Sequence, residues 1–495
     1  MSPQRSLKTF SHAALLLMAV SGCAGSRNAV ADKSYTPPLQ PVTDQAAAQV
    51  PIKSEPSVQL ASADAMSADV RPADDSATNA SSILQTSAQG TVGLTLDQFE
   101  QLAMSNNPTL SQQAASAQEA NALRSQVGRK ANPTVGYNAT QLADKNTDQH
   151  TVFIEQQFVT ANKLQLNEQV MRQAVEVQRW NYQSQTYRVM TDVRMRFYEA
   201  LAAQKRLEII EEFRGVASQG VDLAQKRNEA LEAAKTDVLQ ARIQLNEVDV
   251  QLQQAQFAYN AAWKELASVV GVPYLQPSKL AGELPTEASL TNWDQTFENL
   301  LQTSPELHAA RAKVAKARAN LSRQEVQAIP NITGQLGAGI DRGTENGLIN
   351  LQVSAPIPVF NQNQGNISAA YAAYCKATHE VRRLEMDIQA RLAQVAKEYD
   401  SARVAVEKYN KQILPQAQET LDLAEQAYNA GEFAFLQVLV VRQTFYEANL
   451  RYIESLSNLA TAQAQVNGLL LTGGLDAVED AGLDDGLRGQ TFGQE

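Results

Sequence analysis

Residues Pro330 to Ile367 read PNITGQLGAGIDRGTENGLINLQVSAPIPVFNQNQGNI. Ile332, Gly334, Leu336, Ala338 and Ile340 alternate with Asn331, Thr333, Gln335, Gly337 and Gly339, which is the period of two of a strand with one apolar face and one polar or tiny face. After the turn residues Asp341 to Gly347, Ile349, Leu351, Val353 and Ala355 alternate with Asn350, Gln352 and Ser354. A strand pair wet on one side is expected here. Farther on the period becomes helical. Ile388, Leu392, Val395, Tyr399, Ala402, Val406, Tyr409 and Ile413 step by four and three residues in turn, a heptad seam.

The same order of signals occurs once before. Asn107-Pro108-Thr109-Leu110 matches Ser304-Pro305-Glu306-Leu307 at an offset of 305 − 108 = 197, and Arg242 matches Arg442 at an offset of 442 − 242 = 200. Two tandem copies follow from this, residues 94–285 and 290–475. Strands are expected near 133–142, 150–159, 331–340 and 347–356. In the first copy Val135, Tyr137 and Ala139 alternate with Thr134, Asn138 and Thr140, and Val152, Ile154 and Phe158 lie on the return strand. Its long helix carries Val189, Val193, Phe197, Ala200, Leu207 and Ile210.

Helical pattern runs from about Lys163 to Asn228 and from about Gln362 to Asn429, which at 1.5 Å per residue is on the order of 100 Å each. Pro415 in the second helix and Gly215 at the matching point of the first are expected to weaken both at one level. The fold class is therefore mainly α with a small β part: long helical hairpins forming a tunnel, and four strands per chain. Four strands cannot close a membrane barrel, and open edges are not tolerated in lipid. Several chains must contribute staves, two making 8 and three making 12.

The ends of the chain carry other signals. Residues 1–22 read as an export leader, with Arg5 and Lys8 before the apolar stretch Ala13 to Val20. Val20-Ser21-Gly22-Cys23 resembles the lipobox of bacterial lipoproteins, so lipidation at Cys23 is expected. Residues 23–93 read as a lipidated N-terminus with a flexible linker, and 476–495 as an acidic disordered tail. The chain of 495 residues is 44% hydrophobic, yet no run of about 18 apolar residues offers a spanning helix. Its net charge of −11 has no basic block, which argues against nucleic acid as a partner.

These residues resemble the TolC-like outer-membrane efflux proteins, over about residues 94–475. Ile413 to Phe433, ILPQAQETLDLAEQAYNAGEF, is similar to the family's helix-to-tip segment, with Pro415, Tyr428 and Gly431 in the recurring places. The openings at Pro108 and Pro305 and the duplication also resemble the family. Ala355 to Ile367, with Pro356, Pro358 and Gly365, resembles the strand-to-helix passage of the heavy-metal branch, of the CzcC and CusC kind. The resemblance implies a homotrimer with a 12-stranded barrel in outer-membrane lipid above a helical periplasmic tunnel. It also implies a periplasmic adaptor protein and an inner-membrane efflux pump as partners, and a passive exit duct for substrates, heavy-metal cations among them. The adaptor would dock at the hairpin tip Ala430, Gly431, Glu432 and Phe433. The first copy departs from the pattern, with Ala230-Leu231-Glu232 and no glycine at its tip.

No catalytic residue emerges. His12, His150, His308 and His379 are scattered and read as surface or packing residues rather than metal ligands, Asp237 and Glu432 as solvated helix-end charges, and Cys23 and Cys375 as no disulfide. No cofactor is expected. A periplasmic coiled-coil lipoprotein scaffold without a pore would explain the heptads but not the alternating strands.

Overall fold

The computed structural model describes residues 93–143, 146–231, 234–478 and 486–492. The leader, the lipobox with Cys23, the linker up to residue 92 and Glu232 lie outside the described residues.

Helices α1 (Leu96–Asn106) and α2 (Pro108–Val127) open the first copy, and α5 (Trp293–Thr303) and α6 (Pro305–Glu325) open the second. Each pair breaks at its proline for one local reason. Asn107 Oδ1 accepts from the Thr109 amide at 2.9 Å, and Ser304 Oγ accepts from the Leu307 amide at 3.4 Å. Pro108 and Pro305 then occupy the first helical position, where the missing N–H costs nothing.

The strands are β1 (Thr134–Thr140), β2 (Gln149–Phe158), β3 (Ile332–Asp341) and β4 (Asn346–Ser354), joined as one antiparallel sheet in the order β1-β2-β3-β4. The β2–β3 ladder joins the two copies, with Ile154 opposite Leu336 and Phe158 opposite Ile332. Strands β1 and β4 are left as open edges.

From β2 the chain enters α3 (Lys163–Glu229), 67 residues long, and returns as α4 (Lys235–Val270). From β4 it enters α7 (Gln364–Lys408), passes a π turn over Tyr409–Ile413, continues as α8 (Leu414–Asn429), and returns as α9 (Phe435–Asn467). Helix α3 packs on α2, α4, α6 and α9, and α7 packs on α6 and α9. The aromatic center of the first copy joins Phe99 of α1, Phe197 of α3 and Trp263 of α4, with ring centroids 5.9 and 6.0 Å apart. In the second copy Leu300, Leu307, Leu384, Ile388 and Leu392 play that part.

Only one of the two long helices is interrupted, so the expectation that Gly215 weakens α3 as Pro415 weakens its counterpart is corrected. Gly215 keeps its N–H and α3 runs through it unbroken. Pro415 has no N–H to give, and the chain widens just before it, with the Leu414 amide donating to the Tyr409 carbonyl five residues back. The extra residue rotates the seam. Ile388, Leu392, Val395, Tyr399, Ala402 and Val406 are buried as the heptads require, but Ile413 is exposed. The seam resumes one residue late, at Leu414, Ala417, Leu421, Ala424 and Tyr428, of which Leu421 and Ala424 are fully in the core.

The end of the chain differs from the structureless tail expected there. Residues Leu487–Phe492 form α10, with Leu487 buried against Val127, Val170, Met171 and Ala174. An apolar residue and a hydroxyl that find buried partners outweigh the acidic composition around them.

Candidate functional site

The sheet has two chemically different faces, and the register fixes which residue lies on which. Val135, Ile154, Leu336 and Leu351 stand in one row across the four strands, and Tyr137, Val152, Ala338 and Ile349 in the next. Val135, Val152, Ile154, Leu336, Ile349 and Leu351 are between 48% and 78% exposed in the single chain. Covering each such side chain is worth about 1.5–3 kcal/mol, so a water-exposed face of this extent calls for a covering phase.

The opposite face carries Asn138, Thr151, Gly339 and Leu348 in one row and Thr134, Glu155, Gln335 and Gln352 in another. The four strands contain no Lys or Arg, and Glu155 and Asp341 are their only carboxylates, both on this polar face. One glycine is sterically required here. A Cβ on Gly339 would sit 1.8 Å from the His150 carbonyl oxygen, whereas one on Gly136 would meet only the outer edge of the Phe153 ring, at 2.4 Å.

Both strand pairs hand over to a long helix through an asparagine in the left-handed conformation, Asn162 at φ 54° and Asn363 at φ 62°. Asn363 is buried and donates from Nδ2 to Gln324 O at 2.9 Å, tying the start of α7 to α6. These two residues were missed in the sequence, although their offset of 363 − 162 = 201 repeats the internal duplication and asparagine is the usual non-glycine choice for such backbone. Pro356 and Pro358 follow the end of β4 and offer no ladder donor. Nothing lies within 4 Å of where a Cβ on Gly365 would sit.

At the far ends of the long helices the chain turns sharply. After α8, the Gly431 amide donates to Tyr428 O at 3.0 Å and the Glu432 amide to Ala427 O at 2.9 Å, with Gly431 at φ 79°. That is a Schellman closure. After α3 the Leu231 amide donates to Asn228 O at 3.0 Å and Leu231 stands at φ 60°, so a leucine takes the backbone that glycine takes in the second copy. Its side chain is almost wholly exposed. Ala430, Gly431, Glu432 and Phe433 are all exposed as well. Tyr428 joins the two tips: its hydroxyl accepts from Arg227 Nη1 at 2.6 Å, and the guanidinium lies 5.1 Å from its ring center.

The histidines stay apart. His150 Nε2 pairs with Asp148 Oδ2 at 2.5 Å and its Nδ1 meets the Tyr137 hydroxyl, while His308 stacks on Trp180 at 4.5 Å. Among the described residues no group of three His, Cys, Asp or Glu is placed to hold a metal ion. Among the described residues no helix is long and apolar enough to cross a membrane.

The profile of the family described as outer membrane efflux protein matches residues 100–272 and 296–470. The chain is similar to the cobalt-zinc-cadmium resistance protein CzcC of Cupriavidus metallidurans, 24% identical over 55% of this chain and 65% of the relative. It is also similar to the alkaline protease secretion protein AprF of Pseudomonas aeruginosa, 24% identical over 58% of this chain and 62% of the relative. The match thus spans just under two thirds of the length of these curated relatives. Among solved structures, CusC superposes with a TM-score of 0.62 at 19% identity, covering 76% of this chain and 92% of CusC, a likeness of fold.

Proposed function

The chain belongs to the outer membrane efflux protein family, and from that premise we propose that it is the passive exit duct of a tripartite, RND-type efflux system. It acts as a homotrimer with a periplasmic adaptor protein and an inner-membrane pump that supplies the energy. The observation that carries this reading is the four-stranded sheet, apolar and exposed on one face, polar on the other, with β1 and β4 unpaired at its edges. Such a sheet is a barrel segment. Closing it needs the β4 of one copy against the β1 of the next, and three copies supply twelve strands. A scaffold without a pore has no use for it.

The cargo we propose is cationic, with heavy-metal ions as the first class to test. Support comes from the wall, whose polar face holds amides, hydroxyls and the carboxylates of Glu155 and Asp341 with no Lys or Arg on the strands, and from the similarity to a cobalt-zinc-cadmium resistance protein. The hairpin tips, Ala430 to Phe433 and the turn at Leu231, are the proposed adaptor-docking surface, and acylation at Cys23 the proposed anchor. Reconstitution into planar bilayers, with particle mass by light scattering, tests the core of this reading. Three chains per particle and a cation-preferring conductance are expected, and a single-chain particle without conductance refutes it. Photocrosslinkers at residues 430–434 should capture the adaptor, and Cys23→Ser should abolish acyl labelling.

A further inference from the structure

Where strands and helices meet, two cations are buried with no acid beside them among the described residues. Arg323 of α6 is fully buried. Its Nε donates to Asn167 Oδ1 at 2.5 Å and its Nη2 to Thr491 Oγ1 at 2.8 Å, while Nη1 has no acceptor. Lys163, the first residue of α3, is 2% exposed and donates from Nζ to the Ile329 carbonyl and, at 2.9 Å, to Asn331 Oδ1. The two environments meet, because Asn331 Nδ2 donates to the carbonyl of the same Thr491 at 2.7 Å. Every one of these partners is neutral.

A buried charge is ordinarily matched by an opposite one, since solvation lost on burial is not returned by neutral dipoles alone. Here the effect is legible in the acid–base chemistry. Burial, followed by the charge of Arg323, pushes the Lys163 ammonium down to about 8, and burial pushes Arg323 down to about 10. No carboxylate among the described residues opposes either shift. The positive charge also borders open space, a cleft of about 680 Å³. It is lined by Lys163, Gln327, Asn331, Thr491 and the passage from Pro356 to Phe360. An ammonium carries three donors, of which Lys163 spends two.

We propose that this cleft binds a phosphate-class oxyanion, held by Lys163 with the charge of Arg323 behind it. A tetrahedral anion accepts from the remaining ammonium N–H and from the side-chain amides around it, and supplies a negative charge that the described residues around Lys163 and Arg323 do not. Free inorganic phosphate and a phospholipid headgroup both present this group. The cleft lies at the foot of β3, beside Asn331 and Thr333, so the headgroup source, unlike the anion site itself, rests on reading the sheet as a barrel segment in lipid. The inference rests on the buried pair and the cleft, not on the exit-duct reading.

The test uses the full chain in detergent. Its melting temperature is compared in inorganic phosphate and in chloride at equal ionic strength, for wild type, Lys163→Gln and Lys163→Arg. Phosphate should raise it for wild type and Lys163→Arg but not for Lys163→Gln, and calorimetry should show phosphate binding at least tenfold weaker in Lys163→Gln. Native mass spectrometry after exposure to phosphatidylglycerol separates the sources: lipid retained by wild type and lost in Lys163→Gln assigns a headgroup, and a response to inorganic phosphate alone assigns the free anion. Equal melting in both salts with no retained lipid overturns the proposal, as does an equal response of Lys163→Gln. Should Lys163→Gln not fold, the wild-type comparison of the two salts decides by itself.

Discussion

Replacing Gly431 by alanine meets no steric obstacle, because nothing lies within 4 Å of the Cβ it would add. The cost is then the left-handed backbone, φ 79°, about 1–2 kcal/mol for a residue with a side chain, less the part returned by a stiffer unfolded chain, which leaves about 0.5–1.5 kcal/mol. Local opening of the tip should become roughly 2 to 13 times more populated. The assay is hydrogen exchange at the Gly431 and Glu432 amides, which donate to Tyr428 and Ala427 and are released when the turn opens. Exchange there should accelerate by that factor, while amides of α8 far from the turn keep their rates. The first copy supplies the converse. Leu231→Gly removes a comparable penalty at φ 60° but adds unfolded-state entropy of about 0.5–1 kcal/mol, so exchange at residue 231 should slow only a few fold. Exchange at Gly431→Ala within twofold of wild type would refute the assignment of strain to this turn.

Other outcomes follow from the same contacts. Gly339→Val places carbon against the His150 carbonyl, where 1.8 Å cannot be relieved without moving β2, so heat-resistant oligomers on a gel should be lost, whereas Gly431→Val should keep them and impair efflux. Removing residues 487–492 takes from Arg323, Asn167 and Asn331 their bonds to Thr491 and Leu487, each worth about 0.5–1.5 kcal/mol net once water replaces it, and should lower the melting temperature by several degrees. Lys163 binds its proton more weakly folded than unfolded. In phosphate-free buffer, stability should therefore rise as pH climbs from about 8 toward its ordinary 10.5, by at most about 1.4 kcal/mol per pH unit, and Lys163→Gln should abolish that rise in a pH series of unfolding curves.

Much of the architecture could be read without coordinates because it is carried by local periodicity. The alternation at Ile332 to Ile340 marks a strand with two unlike faces, and its partner at Ile349 to Val353 marks the return. The three-four stepping from Ile388 to Val406 marks a buried seam, and Asn107-Pro108 and Ser304-Pro305 mark helix starts through their own capping chemistry. In each case the residues that decide the conformation are neighbors in the chain, so their pattern is the cause itself.

What the tertiary structure decided involves residues that the chain keeps far apart, or backbone that the residue type does not announce. Leu231 looks like a helical leucine, and only the closing of α3 onto α4 drives it into the left-handed region. The phase slip that exposes Ile413 depends on where α7 relieves the missing donor of Pro415. Arg323 reads as a surface arginine of an amphipathic helix until Asn167 and Thr491, 156 and 168 residues away, bury it. The acidic composition after residue 475 suggests a free tail because composition averages over a segment, whereas docking needs only Leu487 and Thr491 to meet a prepared surface. Period and capping are short-range and survive in the sequence alone; burial of a charge is a property of everything that surrounds it, and exists only once the fold has brought those surroundings together.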